Sequence, residues 1–261
     1  MRIDGNLTRW ALAIAALACP FAMAAGPGLV PMPVPVLAQE SVAPKFVLDE
    51  GKRPQGLCPD IMAAIEAVEP RLRFTGFDRA RSLAFIEDAM ARGNALAACA
   101  LVDSSIRNNV ARRINVPLYE ARYRLAAAAG DTAAVHSLDE LARGRQLVNT
   151  ARGSGYVNDL KARGMAVDDS TGDSVVNLRK TVHGHGRYTY LNEMSMFYYI
   201  RTAGLEAQLT VLPTVFNTGS LYFWVSRKAD PALAPMLEAA LIKLKGNGEL
   251  ERIYAHWSRL H

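Results

Sequence analysis

The sequence lacks a long apolar run after its first 25 residues, a cluster of basic residues and a nucleotide-binding glycine motif. Without a long apolar run no later segment can form a membrane-spanning helix, so we expect a soluble mature protein. The formal net charge is +5 and the pI about 9.2, but lysine and arginine are scattered along the chain. This pattern does not indicate nucleic-acid binding and favours a surface with a mild preference for anionic ligands.

Signals for cofactors and metals are also missing. The glycine spacings of the P-loop and of the dinucleotide-binding turn do not occur. His183 and His185 are separated by one residue, but no further cysteine or histidine nearby completes a metal-binding set. We therefore interpret residues 183–186 as a loop and expect neither a cofactor nor a metal.

The first 24 residues are typical of an export signal. Arg2 and Arg9 give it a positive start, and the nine apolar residues 10–18 are too few to span a bilayer. Small residues suit cleavage after Ala24, and a second candidate site follows Ala38. We expect the mature protein to be exported.

Cysteine is scarce, with three residues in the chain. Cys19 lies in the export signal, where the surrounding residues only loosely resemble a lipoprotein box, so we expect no lipid anchor. Cys58 and Cys99 remain, and an oxidising compartment allows them to pair. A bridge would enclose about forty residues and contribute roughly 3–4 kcal/mol. The sequence does not distinguish this bridge from two separate buried thiols.

Residues 25–43 are rich in proline. We interpret them as an extended leader, expect them to be poorly ordered, and expect the fold to begin at the short apolar strand 45–48. A chain of this length can form one large domain or two lobes of about a hundred residues each.

The first part of the folded chain alternates apolar strands with amphipathic helices. Strands are predicted at 45–48, 73–77 and 96–102, and the intervening helices begin near Gly56 and Ser82. This β-α-β-α-β order predicts a mainly parallel sheet with right-handed crossovers.

The C-terminal stretch 219–257 has a more specific pattern. A strand at 220–226 is followed by a helix start at Asp230-Pro231, where the acid suits an N-cap. The helix ends at Gly246-Asn247-Gly248, and a short last helix follows.

This stretch resembles the C-terminal end of the family 3 solute-binding proteins of ABC transporters, the amino-acid-type periplasmic binding proteins. The matching residues are Arg227-Lys228, Asp230-Pro231-Ala232-Leu233, Leu244-Lys245, Gly248-Glu249-Leu250, and Ile253-Tyr254 with Trp257. The resemblance covers about residues 45–257. It implies an α/β protein with the two-lobe periplasmic-binding-protein type II fold, whose mainly parallel sheets are flanked by helices and whose lobes are joined by two hinge crossings.

The resemblance also implies the order of the domains. After the signal peptide (1–24) and the leader (25–43), the first part of lobe 1 is expected at 44–121, lobe 2 at 122–218, and the return crossing with the C-terminal helices of lobe 1 at 219–261. The hinges are expected near 119–123 and 213–218.

In the resembled family an arginine after the third strand grips the ligand carboxylate with two parallel donors. Arg107 matches this position, with Ser104 where a threonine is usual. Arg112 and Arg113 are nearby alternatives. The carboxyl end of a parallel strand is where such sheets bind ligands, which favours Arg107.

Further ligand contacts are implied from the second lobe. Gly153 and Ser154 resemble a loop that contacts the ligand through free backbone N–H groups, although an ordinary βα turn is an alternative. In a later motif Thr189 replaces the first aspartate of the family, and Asn192 or Glu193 replaces the second. An α-amino-acid ligand is therefore not implied. Asn192 is our candidate there, and Phe77 is a candidate stacking wall in the first lobe.

The expected function is that of a non-catalytic periplasmic binding protein. We expect a monomer that captures a small, carboxylate-bearing solute and passes it to the membrane permease of an ABC transporter. One alternative is an enzyme on the same scaffold, similar to cyclohexadienyl or arogenate dehydratases, for which Glu193 is the only obvious carboxylate near the cleft. The other alternative is a ligand-sensing subunit for a membrane receptor.

Overall fold

The structure is a computed structural model that describes residues 30–49, 53–131 and 134–258. The predicted export signal, with Cys19, lies outside these residues. Within the described ranges no helix is long and apolar enough to cross a membrane, and no group of three or more His, Cys, Asp or Glu side chains is placed to hold a metal ion.

Strands and helices alternate along most of the chain. The strands are β1 (Met32–Pro35), β2 (Ala38–Gln39), β3 (Val47–Leu48), β4 (Pro54–Gln55), β5 (Leu72–Thr75), β6 (Ala80–Arg81), β7 (Ala97–Leu101), β8 (Ala111–Ala128), β9 (Val148–Asn149), β10 (Val167–Asp168), β11 (Tyr188–Asn192), β12 (Leu209–Val211) and β13 (Asn217–Ser226). The helices are α1 (Leu57–Val68), α2 (Leu83–Arg92), α3 (Ser105–Val110), α4 (Leu138–Gly144), α5 (Val157–Ala162), α6 (Ser174–Val182), α7 (Glu193–Thr202), α8 (Leu233–Gly246) and α9 (Glu249–Ser258).

The largest sheet is built on the two long strands β8 and β13, which pair antiparallel from Asn217 opposite Tyr123 to Ser226 opposite Ala111. Its strand order is β10-β9-β11-β8-β13-β7, and β12 also pairs with β8. Parallel pairs join β9 to β10 and to β11, and also β1 to β5 and β2 to β6. The fold is therefore α/β. Each antiparallel pair of the large sheet involves β8 or β13.

Two hydrophobic cores lie along β8. The larger core packs α1, α8 and α9 against the sheet through residues such as Ile61, Leu118, Phe223, Leu237 and Ile253. The second core gathers Leu125, Val148, Leu160, Tyr188 and Leu212, and a neighbouring cluster seats α6 and α7. Because β8 contributes to both cores, it links two lobes.

The expectation that the fold begins at 45–48 is wrong. Strand β1 lies inside the proline-rich segment and pairs with β5, and Val34 is fully buried. The prolines alternate with other residues, so they remove N–H groups from one side of the strand only. On the other side the N–H groups of Met32 and Val36 donate to carbonyls beside β5. Cleavage after Ala38 would remove this strand, so we propose cleavage after Ala24.

Short polar signals set several helix boundaries. Ser82, Ser137 and Asp173 cap α2, α4 and α6 by accepting backbone N–H groups with their side chains. The predicted start of the long C-terminal helix is early, because α8 begins at Leu233 and Asp230 instead accepts the N–H of Ala232 in the turn before it.

A disulfide links the first helix to the sheet. Cys58 on α1 and Cys99 on β7 are bridged, with their Cα atoms 6.0 Å apart. Both residues lie in the larger core. The bridge fixes the start of α1 next to β7. The last residues of β7, Ala100 and Leu101, line the cavity described below.

Candidate ligand-binding site

A cavity of about 450 Å³ lies beside the crossing strands β8 and β13, with walls from both lobes. This volume is typical of small-molecule sites. One wall comes from the loop after β2, the end of β7 and α3, and the other from the loop before α5 and the start of α7. Its polar and aromatic wall residues include Lys45, Arg107, Tyr123, Ser154, Tyr156 and Asn192.

Of the six predicted ligand contacts, the structure brings three together in the cavity wall, namely Arg107, Ser154 and Asn192. The other three lie outside the wall. Phe77 packs against the larger core. Ser104 is the N-cap of α3, where its Oγ accepts the N–H of Arg107. Gly153 is exposed in the turn before Ser154, with φ +76.

Arg107 is held in the wall by protein groups. Its side chain is 2% exposed, and its Nη2 donates to Glu87 Oε1 at 2.8 Å. Its Nη1 donates to the Val102 carbonyl, and the guanidinium lies 5.2 Å from the ring centre of Trp224. Burial lowers the pKa of Arg107, and the nearby Glu87 carboxylate opposes this effect. The Nε of Arg107 is buried without a hydrogen-bond partner.

The alternative arginines have different surroundings. Arg113 also lines the cavity, but its Nη1 donates to Asp103 Oδ2 at 2.6 Å and its guanidinium lies 4.6 Å from the ring centre of Tyr222. Arg112 is exposed on β8 and does not line the cavity. Arg107 is therefore the most buried of the three.

Tyrosines form the aromatic part of the wall. The ring centres of Tyr123 and Tyr156 are 5.2 Å apart, and both rings contact Tyr190 at 5.8 and 5.1 Å. Burial raises the pKa of each of these phenols, so they are neutral hydrogen-bonding groups at ordinary pH. Such rings combine an apolar face with a polar edge.

The motif near residue 190 carries no acid in the cavity wall. Asn192 caps α7, and its Oδ1 accepts the N–H of Ser195 at 2.9 Å. Thr189 is buried and donates to the Asn177 carbonyl. Glu193 pairs with Arg124 at 2.8 Å and is not among the wall residues.

The structure adds Lys45, which the sequence did not indicate as a site residue. Its side chain lies in the cavity wall and the residue is 5% exposed. Its Nζ donates to Gln39 Oε1 and, at 3.1 Å, to the Ala100 carbonyl. Burial, with a further contribution from Arg107, lowers the pKa of Lys45 to about 7. In the sequence, Lys45 is marked only by the apolar residues that directly follow it, and this is a weak signal for a binding site.

The acceptor of Lys45 has an unusual backbone. Ala100 lies in the buried strand β7 with φ +56, a conformation that non-glycine residues rarely adopt. Strained residues of this kind concentrate at binding sites.

Comparisons with known proteins agree on the fold. No protein-family profile matches the chain, and a search of curated proteins gives no match. A histidine kinase sensor domain with similarity to periplasmic binding proteins has TM-score 0.75 and 19% identity, covering 87% of this chain and 96% of that chain. The probable amino-acid ABC transporter extracellular-binding protein ytmK from Bacillus subtilis has TM-score 0.74 and 13% identity, covering 87% and 98%. The ancestral amino acid-binding protein AncCDT-1, a precursor of cyclohexadienyl dehydratase, has TM-score 0.71 and 17% identity, covering 86% and 95%. The chain therefore has the two-lobe α/β fold of the periplasmic binding proteins, as predicted from its C-terminal stretch.

Proposed function

We propose that the protein is an exported, non-catalytic binding protein that captures a small, carboxylate-bearing solute and delivers it to the permease of an ABC transporter. The observation that carries the proposal is the cavity of about 450 Å³, whose wall contains the basic side chains Lys45 and Arg107. Similar structures include amino-acid-binding proteins and ABC transporter binding proteins, which supports the class of ligand.

Arg107, Ser154 and Asn192 are our proposed polar contacts. Ser154 and Asn192 lie in the part of the wall formed by the loop before α5 and the start of α7, whereas Arg107 lies on α3. A solute between them touches both lobes, so its binding favours the closed arrangement. We propose lobe boundaries near 121 and 218, as the sequence predicts, with lobe 1 extended to begin at β1.

A thermal-shift screen tests the proposal. The panel contains amino acids, dicarboxylates, opines and polyamines, and each is compared with the ligand-free protein. A ligand at a hundred times its dissociation constant adds about 2.7 kcal/mol to the free energy of unfolding. We expect a carboxylate-bearing compound to stabilise the protein and a polyamine not to do so. Stabilisation by polyamines alone would contradict the proposal.

Variants at two arginines locate the site. We expect Arg107→Ala to weaken binding of a hit, whereas Arg112→Ala, on the exposed face of β8, leaves its affinity unchanged. If wild type, Arg107→Ala and Arg112→Ala bind the hit with equal affinity, Arg107 does not contact the ligand.

A sensing role is the second candidate, because a kinase sensor domain is among the similar structures. Co-purification with a permease favours delivery, whereas co-purification with a membrane receptor favours sensing. Formation of product from prephenate or arogenate would favour an enzyme instead, although Glu193 is paired with Arg124 and lies outside the cavity wall.

A further inference from the structure

We propose that Lys45 is the residue that anchors the anionic group of the solute, and that its amine takes up one proton when the anion binds. The inference rests on the proposed function and deepens it, because it names the recognition group of the same cavity and couples binding to pH.

Lys45 is better placed than Arg107 to receive an anion. Both Nη groups of Arg107 already donate to Glu87 and to the Val102 carbonyl, and its nitrogen without a partner is the buried Nε. The Glu87 carboxylate neutralises this guanidinium within the wall. Lys45, in contrast, forms no ion pair with any carboxylate of the described residues.

The partners of Lys45 match a neutral amine. A neutral amine has two N–H donors and one lone pair, and Nζ contacts two uncharged acceptors, Gln39 Oε1 and the Ala100 carbonyl. An ammonium would have a third N–H without a partner and a buried charge without a counterion, which is unfavourable. The neighbouring Arg107 cation disfavours the charged form further.

The carboxylates paired with the arginines of the first-lobe wall do not supply this counterion. Asp103 is engaged by Arg113, whose Nη1 is 2.6 Å from its Oδ2. Glu87 is engaged by Arg107. The charged side chains of the first-lobe wall are therefore paired with each other, whereas the amine of Lys45 has no counterion among the described residues.

Among the remaining wall residues the charged one is Asp159 on α5, and the titratable ones are tyrosines. Burial raises the pKa of Tyr119, Tyr123 and Tyr156, so these phenols carry no charge near neutral pH. Asp159 is exposed, and no salt bridge joins it to Lys45.

An anionic solute changes the protonation of Lys45. The amine takes a proton from solvent, keeps its two hydrogen bonds and directs the third N–H to the anion, so a charge-assisted contact replaces the missing counterion. Since one proton is taken up with the ligand, the dissociation constant rises as pH rises through the pKa of about 7 in the empty cavity. We expect binding to weaken about tenfold from pH 6 to pH 8.

Calorimetry tests this coupling with anions whose own charge is constant between pH 6 and pH 8. The probes are L-glutamate, L-lactate and methanesulfonate, titrated at both pH values and in two buffers that differ in ionisation enthalpy. The variants are Lys45→Met, Lys45→Arg and, as a control on the exposed face of α8, Lys243→Met.

The expected result is uptake of up to one proton per bound anion at pH 8 and about tenfold weaker binding than at pH 6. Lys45→Met loses the binding, Lys45→Arg binds without the pH dependence, and Lys243→Met behaves as wild type. Binding that is independent of pH and unchanged in Lys45→Met overturns this inference and leaves the proposed function standing. Failure of all three probes to bind at pH 6, with no carboxylate hit in the thermal-shift screen, overturns both.

Discussion

At the scale of single residues, the two cations of the first-lobe wall differ in what surrounds them. Arg107 has a carboxylate, a carbonyl and an aromatic ring, whereas Lys45 has two neutral oxygen acceptors. Burial therefore acts on Lys45 without the compensation that Glu87 gives to Arg107. The consequence is a lysine whose charge depends on pH near neutrality.

This difference predicts how stability depends on pH in the ligand-free protein. The pKa of Lys45 is about 7 in the folded protein, compared with its ordinary value of 10.5 in the unfolded chain. Between these two pH values the unfolded chain therefore binds more protons than the folded protein. The free energy of unfolding should therefore rise with pH across this window, by up to about 1.4 kcal/mol per pH unit. Below pH 7 the buried charge destabilises the fold in full.

Urea titrations of wild type and Lys45→Met between pH 6 and pH 10 measure this contribution, after bound solutes are removed by refolding. The variant should lack the rise and be more stable than wild type at pH 6. Parallel curves for the two proteins would show that the lysine titrates normally.

At this scale, three of the residues predicted from the sequence lie in the wall of the candidate site. Arg107, Ser154 and Asn192 line the cavity and could be named because they fall in short motifs. Lys45 could not be named, because its environment comes from Gln39 on one side and from Ala100, 55 residues away, on the other. A lysine becomes unusual only through such tertiary contacts.

At the scale of elements, the loop that carries Lys45 is fixed by the start of α1. The N–H groups of Leu57 and Cys58 donate to the carbonyls of Pro44 and Lys45, both at 3.0 Å. Gly56 precedes the helix with φ +123, which favours glycine. A Cβ there would clash with the Pro44 carbonyl and lie 2.8 Å from the Lys45 carbonyl oxygen.

We therefore expect Gly56→Ala to lower the free energy of unfolding by at least about 2 kcal/mol, and to weaken binding by moving the lysine. The matched control is Gly172→Ala, where φ is ordinary and a Cβ meets nothing within 4 Å. Denaturant titration compares the two. Equal stabilities would show that the loop tolerates a side chain at this position.

The disulfide holds the same elements together. Replacing both Cys58 and Cys99 by alanine should lower the free energy of unfolding by about 2–4 kcal/mol, because the unfolded chain gains freedom. Since Cys99 precedes Ala100, the acceptor of Lys45 also loses an anchor. Thermal unfolding of the oxidised protein and the double variant measures the difference, and identical curves would contradict a stabilising bridge.

Most elements could be predicted because helix caps and apolar spacing are local signals. The predicted starts at Gly56 and Ser82 agree with α1 and α2. Strand β1 was not predicted, because a proline-rich segment is typical of an extended leader. Only the pairing with β5 shows that the prolines occupy positions whose N–H groups are not needed for the sheet.

At the scale of the whole molecule, the two C-terminal helices of the stretch that indicated the fold are not part of the cavity wall. Helices α8 and α9 pack on α1 in the larger core, and Trp257 Nε1 donates to Asp60 Oδ2 at 2.7 Å. The fold could be predicted because the residues that pack α8 and α9 onto α1 follow the sequence pattern of the resembled family. The solute could not be predicted, because the ligand-facing positions depart from the resembled motifs.

We propose that the cavity between the lobes binds a carboxylate-bearing solute. Calorimetric titration of the best carboxylate hit tests it most directly when wild type is compared with Ser154→Trp, which fills the cavity. Asn158→Trp, on the exposed face of α5, is the control.

We expect Ser154→Trp to abolish binding of the carboxylate and Asn158→Trp to keep the wild-type dissociation constant. Undiminished binding to Ser154→Trp would contradict binding in this cavity, because the solute would then occupy another part of the protein.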